Sequence, residues 1–354
     1  MTRGGAVALA AALCLAACSA TASAPSSAPL TSAPPASAGS SSSSPPPSSS
    51  TPAPSSSSST AAPTTTTTAA PVPDLSGLPA VPADGPARAV VTPSGVVAAV
   101  LGETEGGWLV RLPCAGEAEA TGTPLRGAHV VLDPGHGGDE DGAVGANGLK
   151  EKDLNLAVAE RAAALLADAG ATVVLTRTAD YRMTLEARAD IGVALGALAF
   201  VSIHHNAVAD GPRDGPGTET YFQVDSPGSH RLAGLLYEEV TAALGRWDVA
   251  WVADRDAGAK YRRSDDGGDY YGILRRTAGV PAALVEGAFL SNPPEADLLA
   301  RPEVQEAEAA AVARAVGRFL TTDDPGSGFV EPYPRTEPAG PGGGATGCVD
   351  PPLA

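Results

Sequence analysis

The sequence predicts an α/β fold: a single open, mostly parallel twisted sheet covered by helices on both faces and preceded by a small β element. Two observations carry this. Beyond Ala128, short apolar runs alternate with longer stretches of helical period, the pattern of parallel strands joined by helical crossovers. The first of these runs, Val130-Val131-Leu132-Asp133, breaks into Pro134-Gly135-His136-Gly137-Gly138. An open α/β sheet presents side chains in this way at the carboxyl ends of its strands, where its ligands bind.

In chain order the expected elements are a strand at 129–133, a helix at 153–169, a strand at 171–177 and a helix at 184–195. Strands at 198–203 and 217–224 follow, then a helix at 229–244, a strand at 281–286 and a helix at 302–319. The helix beginning at Asp153 carries Leu154, Val158, Leu165 and Leu166 on one stripe and stops at Ala169-Gly170. The irregular stretch from Gly245 to Gly272 holds Trp247, Trp251, Tyr261, Tyr270 and Tyr271 and is too long for a simple connection. It reads as a wall of a substrate groove or, equally, as an insertion packed on the surface.

Composition divides the rest of the 354 residues. Residues 1–17 have a short positive region at Arg3, an apolar run from Ala6 to Ala17 and a small-residue cleavage pattern, which together make a secretory signal. The end of that signal, Leu15-Ala16-Ala17-Cys18, resembles the bacterial lipobox, which implies lipid attachment at Cys18 and a membrane-anchored protein facing outward. A plain signal peptide cut at a nearby Ala-x-Ala is the alternative. Residues 18–73 are Ser, Pro, Thr and Ala with almost nothing apolar to bury, so they are expected to form a disordered tether. As a coil such a tether spans about 40 Å. Residues 74–125 contain the strand-like runs Ala89-Val90-Val91 and Gly106 to Val110, a small β element with no assignable role. Residues 126–322 are expected to form one α/β domain, and 323–354 a Gly/Pro-rich tail. The net charge of −17 argues against nucleic acid, whose binding needs clustered Lys and Arg. Past the signal, no segment is apolar for long enough to predict a transmembrane helix.

His136 gains weight from three later residues: Glu151 at the start of a helix, His204 closing a second apolar strand and Glu286 closing a third. Two imidazoles and a carboxylate suit zinc, and three protein ligands leave the fourth position open, as a catalytic site requires. The wide spacing of the three excludes a finger or ribbon and fits a site assembled from several strand–helix connections.

The segments DPGHGG, GLKEKDLNLA, FVSIHHN and ALVEGAFLSN, spread in order from about Ala128 to about Leu320, resemble the zinc-dependent N-acetylmuramoyl-L-alanine amidases of the amidase-3 type. The resemblance implies His136, Glu151 and His204 as ligands of one catalytic zinc ion, Glu286 as the catalytic carboxylate and peptidoglycan as substrate. The family usually reads S-I-H-A-N where this chain has His205. Adjacent strand residues point to opposite faces, so His204 is taken as the ligand, with His205 and Asn206 lying behind the site or toward solvent. His129 and His230 match no motif position and read as structural or exposed. For Glu286, a salt bridge to Arg275 or Arg276 stays open as a structural role. A zinc peptidase or deacetylase acting on the cell wall, or a wall-binding lipoprotein without catalysis, remain the functional alternatives.

Cys114 and Cys348 make an even pair once Cys14 goes with the signal and Cys18 with the lipid. In an oxidising compartment they are expected to bridge, fixing the tail; two free thiols are the alternative.

Overall fold

The computed structural model describes residues 70–334 and 343–354. Cys18 and nearly all of the Ser/Pro/Thr-rich tract lie outside the described residues. Five short strands come first: β1 (Ala89–Val91), β2 (Val97–Glu103), β3 (Trp108–Arg111), β4 (Glu117–Ala120) and β5 (Thr123–Leu125). They form an antiparallel sheet in the order β4-β3-β2-β1-β5. The chain then alternates through β6 (Val130–Pro134), α1 (Glu151–Asp168), β7 (Val173–Leu175), α2 (Leu185–Leu195) and β8 (Ala199–Asn206). β9 (Gly211–Arg213), β10 (Glu219–Phe222), α3 (Pro227–Leu244), β11 (Trp251–Ala253), β12 (Ala259–Lys260) and α4 (Gly272–Arg276) come next. β13 (Ala282–Phe289), α5 (Pro293–Leu299) and α6 (Pro302–Thr321) complete the order.

The main sheet runs β12-β10-β13-β8-β6-β7, parallel except where β10 meets β13. Strand alternation sorts its side chains into two cores. Val130, Leu132, Val201, Ile203, Ala283 and Val285 pack with α1, α3 and α6 on one face. Val131, Phe200, Tyr221, Ala282 and Leu284 pack with α2 and α4 on the other. Ala89, Val97 and Ala99 join that second core, so the small β element is fastened to the main sheet through α2. Burying side chains such as Phe200 and Leu132 completely stabilises the sheet by about 1.5–3 kcal/mol each.

The short elements β9, β11, β12, α4 and α5 are absent from the sequence reading, and two further segments differ from it. The first helix begins two residues earlier than Asp153, because its first amides are met by the preceding loop: Glu151 N donates to Ala143 O at 2.9 Å and Lys152 N to Asp141 O at 3.1 Å. The tail is more structured than its Gly/Pro content suggests. Ala259 N donates to Gly328 O at 2.8 Å and Val330 N to Ala259 O at 3.0 Å, so the chain past α6 extends the sheet beside β12. Phe329 stacks on His230 with ring centroids 3.8 Å apart. Further on, Cys348 is joined to Cys114 in a disulfide with its Cα atoms 5.5 Å apart. No helix among the described residues is long and apolar enough to cross a membrane.

Candidate metal centre and active site

The site lies at the carboxyl edge of the parallel strands. β6 ends in Pro134, and Gly135 packs so closely under the His204 ring that a Cβ there would come within 2.1 Å of it. His136 then turns with φ of 60°, the left-handed region, which costs a residue other than glycine roughly 1–2 kcal/mol. Two buried arginines hold this turn in place. Arg188 of α2 donates to the carbonyls of Pro134 at 2.8 Å and His136 at 2.6 Å, and to Asp133 Oδ1 at 2.8 Å. Arg177 donates to the carbonyls of Pro134 and Gly135, both at 2.9 Å.

Glu151, the first residue of α1, reaches both histidines. Its Oε2 lies 3.2 Å from His136 Nε2 and its Oε1 lies 2.9 Å from His204 Nδ1. The amide of Ala143 and the Asn155 side chain also donate to this carboxylate, at 2.8 and 3.2 Å. One ligand atom from each of His136, Glu151 and His204 lies within 4.8 Å of the others. Burial alone pushes the Glu151 carboxyl up, but the hydrogen bonds and charges of the two histidines outweigh it and hold the group well below the usual range. Burial pushes His204 below the ordinary histidine value despite Glu151. An ionised carboxylate beside a neutral imidazole is the state a metal requires of its ligands. Tetrahedral ligands with bonds of about 2.0–2.1 Å stand roughly 3.3 Å apart. The two histidines approach different oxygens of Glu151 at 3.2 and 2.9 Å, so the three groups are close enough to share one ion. The donor set fits zinc.

Alternation along β8 separates the neighbouring histidines. His204 shares the face of Phe200 and opens onto the cleft. His205 turns to the α1 and α6 side, buried, with Nδ1 at 2.8 Å from Asn155 Oδ1 and Nε2 at 3.2 Å from the Glu308 carboxylate. Burial pushes His205 down, yet Glu308, Glu151 and Glu295 more than offset it and leave its pKa raised. Asn206 does not touch the trio; its Nδ2 donates to Glu219 Oε2 at 2.7 Å.

Glu286 on β13 faces the same cleft as His204, its pairing partner in the parallel register. Its Oε2 is buried without a hydrogen-bond partner. Burial, then the charges of Glu151 and Glu219, push its carboxyl well above the usual range. Arg275 and Arg276 donate to backbone carbonyls of Asp269, Tyr270 and Gly272, so neither serves as its salt-bridge partner. The cleft of about 290 Å³ between these groups is also lined by Glu140, Leu185, Tyr271 and Gly343. Of the aromatic residues in the irregular stretch, Tyr271 reaches the cleft. Trp247 and Trp251 pack instead into the core against the α3 side.

A second acidic cluster, Glu219, Asp254 and Asp256, also brings three carboxylates together. Lys260 is planted among them, its Nζ bonded to the Glu219 carboxylate and 2.8 Å from Asp256 Oδ1, so an ammonium supplies the positive charge there. Sequence reasoning missed this cluster, the Asp133–Arg188 pair and Glu308. A weak signal existed for Asn155, four residues after Glu151 and hence on the same helix face. The arginines offered none, since the groups they hold around the His136 turn lie 42 to 55 residues away.

Two imidazoles and a carboxylate beside a second, unpartnered carboxylate make the donor set that metal-dependent hydrolases use. Residues 130–318, more than half of the chain, match the amidase-3 family of N-acetylmuramoyl-L-alanine amidases, and the chain belongs to that family. It is an amidase that hydrolyses an amide of peptidoglycan. It is 38% identical over 213 residues to the uncharacterized protein YqiI of Bacillus subtilis (strain 168), covering 60% of this chain and 92% of that one. Over 191 residues it is 33% identical to the N-acetylmuramoyl-L-alanine amidase LytC of the same strain, covering 53% of this chain and only 35% of that longer protein. A solved structure of the amidase AmiC2 of Nostoc punctiforme is 34% identical and covers 54% of this chain and 96% of that one, with a TM-score of 0.46.

Proposed function

We propose that the protein cleaves the amide between the lactyl group of N-acetylmuramic acid and L-alanine of the stem peptide. In this reading one zinc ion is held by His136, Glu151 and His204, and Glu286 moves the proton. The observation that carries it is the trio of ligand atoms at the sheet edge facing a buried carboxylate oxygen with no partner. Zinc held there supplies a Lewis acid that polarises the scissile carbonyl and activates a water. Glu286 takes the proton from the attacking water and returns it to the departing L-alanine nitrogen, so its charge is restored each turn. Arg188 and Arg177 keep the His136 turn in place, and Asn155 and the Ala143 amide orient the Glu151 carboxylate, so the ligands are preorganised.

Work on peptidoglycan puts the enzyme outside the cytoplasm. There Cys18 carries the lipid in our reading, and residues 18–73 tether the enzyme to the membrane while it reaches the wall. The test is mass spectrometry of peptidoglycan digested by purified protein with and without a chelator. New L-alanine amino termini on stem peptides, lost on chelation and restored by zinc, are the expected products. Cross-bridge fragments would indicate a peptidase and acetate a deacetylase, and activity that survives verified metal removal would refute the zinc mechanism.

A further inference from the structure

The segment from Gly343 onward lies beyond the family match, which ends at residue 318, yet it reaches the catalytic cleft. Gly343 bridges two elements that the sheet does not join. Its carbonyl accepts from the amide of Leu185, the first residue of α2, at 3.0 Å, and its own amide donates to Glu140 Oε1 at 3.3 Å. Arg182 then takes hold of the next carbonyls, donating to Gly344 at 2.9 Å and Thr346 at 3.0 Å. The same guanidinium pairs with Asp139 at 3.0 Å and Glu140 at 2.9 Å. Past the Cys114–Cys348 bridge, Asp350 Oδ1 accepts from the Cys114 amide at 2.7 Å, and the Pro352 carbonyl accepts from Ser94 Oγ at 2.6 Å. Gly343 has φ of 76°, and a Cβ there would lie 2.4 Å from Leu185 Cγ. The backbone lies flat on Leu185 because no side chain intervenes.

The segment therefore fills the gap between the loop after His136 and the start of α2, with Gly343 itself in the cleft surface beside Glu140 and Leu185. We infer that residues 343–348 are one wall of the substrate groove, held there by the Cys114–Cys348 bridge, and that they contribute to substrate binding and not to the chemical step. This gives the small β sheet a role: it carries the anchor of that wall. The inference relies on the proposed function for the identity of the substrate, and on the geometry alone for the wall.

The test compares wild type and Gly343→Val on a soluble disaccharide–tetrapeptide fragment of peptidoglycan. Displacing the segment should raise KM roughly three- to tenfold with kcat unchanged, the signature of lost uniform binding. A KM within about twofold of wild type overturns the inference whatever kcat does. Should the variant fail to fold, Glu286→Gln protein with its native tail is examined by hydrogen exchange with and without the same fragment. Slowed exchange across 343–348 is expected, and unchanged exchange overturns the wall. Wild-type protein that binds the fragment and protects 343–348 but releases no L-alanine termini would instead sink the functional reading.

Discussion

Replacing Arg188 by Ala probes how the fold holds its first ligand. Arg188 and Asp133 are 3% and 1% exposed at the side chain and stand 2.8 Å apart. Removing the guanidinium strands a buried carboxylate without its cation, a loss of about 3–5 kcal/mol. The His136 carbonyl loses its donor as well, at about 1–3 kcal/mol where no water replaces it, whereas the Pro134 carbonyl keeps Arg177. Thr176 and Ser202 still donate to Asp133, at 2.6 and 2.8 Å, which keeps the total toward the lower end. A net loss of about 4 kcal/mol is expected, a large share of the roughly 5–15 kcal/mol that holds a domain together. Urea unfolding of the metal-free protein measures it. The sign with pH comes from Asp133. Burial pushes its carboxyl up, but the Arg188 charge and the hydrogen bonds outweigh burial and hold it below the usual range. In wild type this pair contributes stability above the unfolded carboxyl value of about 3.9, and that contribution is lost as pH falls through the lower folded value. The deficit of the variant should therefore be largest near neutral pH and shrink in acid. With the His136 turn loosened, zinc affinity should also fall about 10- to 100-fold. A stability loss under about 1 kcal/mol, with zinc affinity within about threefold of wild type, would refute the clamp.

His204→Ala should lose zinc stoichiometrically, whereas His205→Ala should keep it and lose about 3 kcal/mol of stability, because Glu308 is left buried without its partner; metal analysis beside urea melts separates the two, and the reverse pattern would exchange their roles. Glu286→Gln should retain zinc while turnover falls about 10²- to 10⁴-fold, the usual contribution of a general base; loss of metal would make Glu286 a ligand. In metal-free protein the Glu286 carboxyl should titrate above the ordinary carboxylate range and move down when zinc is added, since a nearby cation favours the charged form; NMR titration of the labelled carboxyl reads both, and an unshifted value in the metal-free protein would show that burial does not tune this group.

The sequence alone carries the order of the longer strands and helices beyond Ala128, because periodicity and turn residues act over a few neighbours, but not the short β9, β11, β12, α4 and α5, whose two to seven residues show no period. It also carries the four motif segments, and thus the residues that meet at the sheet edge. Alternation along β8 says that His204 and His205 face opposite ways. Which of them meets the cleft depends on α2 and α4 packing one face of the sheet while α1 and α6 cover the other. The tail shows the same limit. Its Gly and Pro content reads as slack chain, yet Gly343 is seated beside Leu185 by groups close to it in space and remote in sequence. Arg188 with Asp133, Lys260 with Glu219 and Cys348 with Cys114 are separated by 55, 41 and 234 residues. Local patterns decide which face a side chain takes, and only tertiary packing decides what stands across from it, because a partner's position is set by the whole intervening fold.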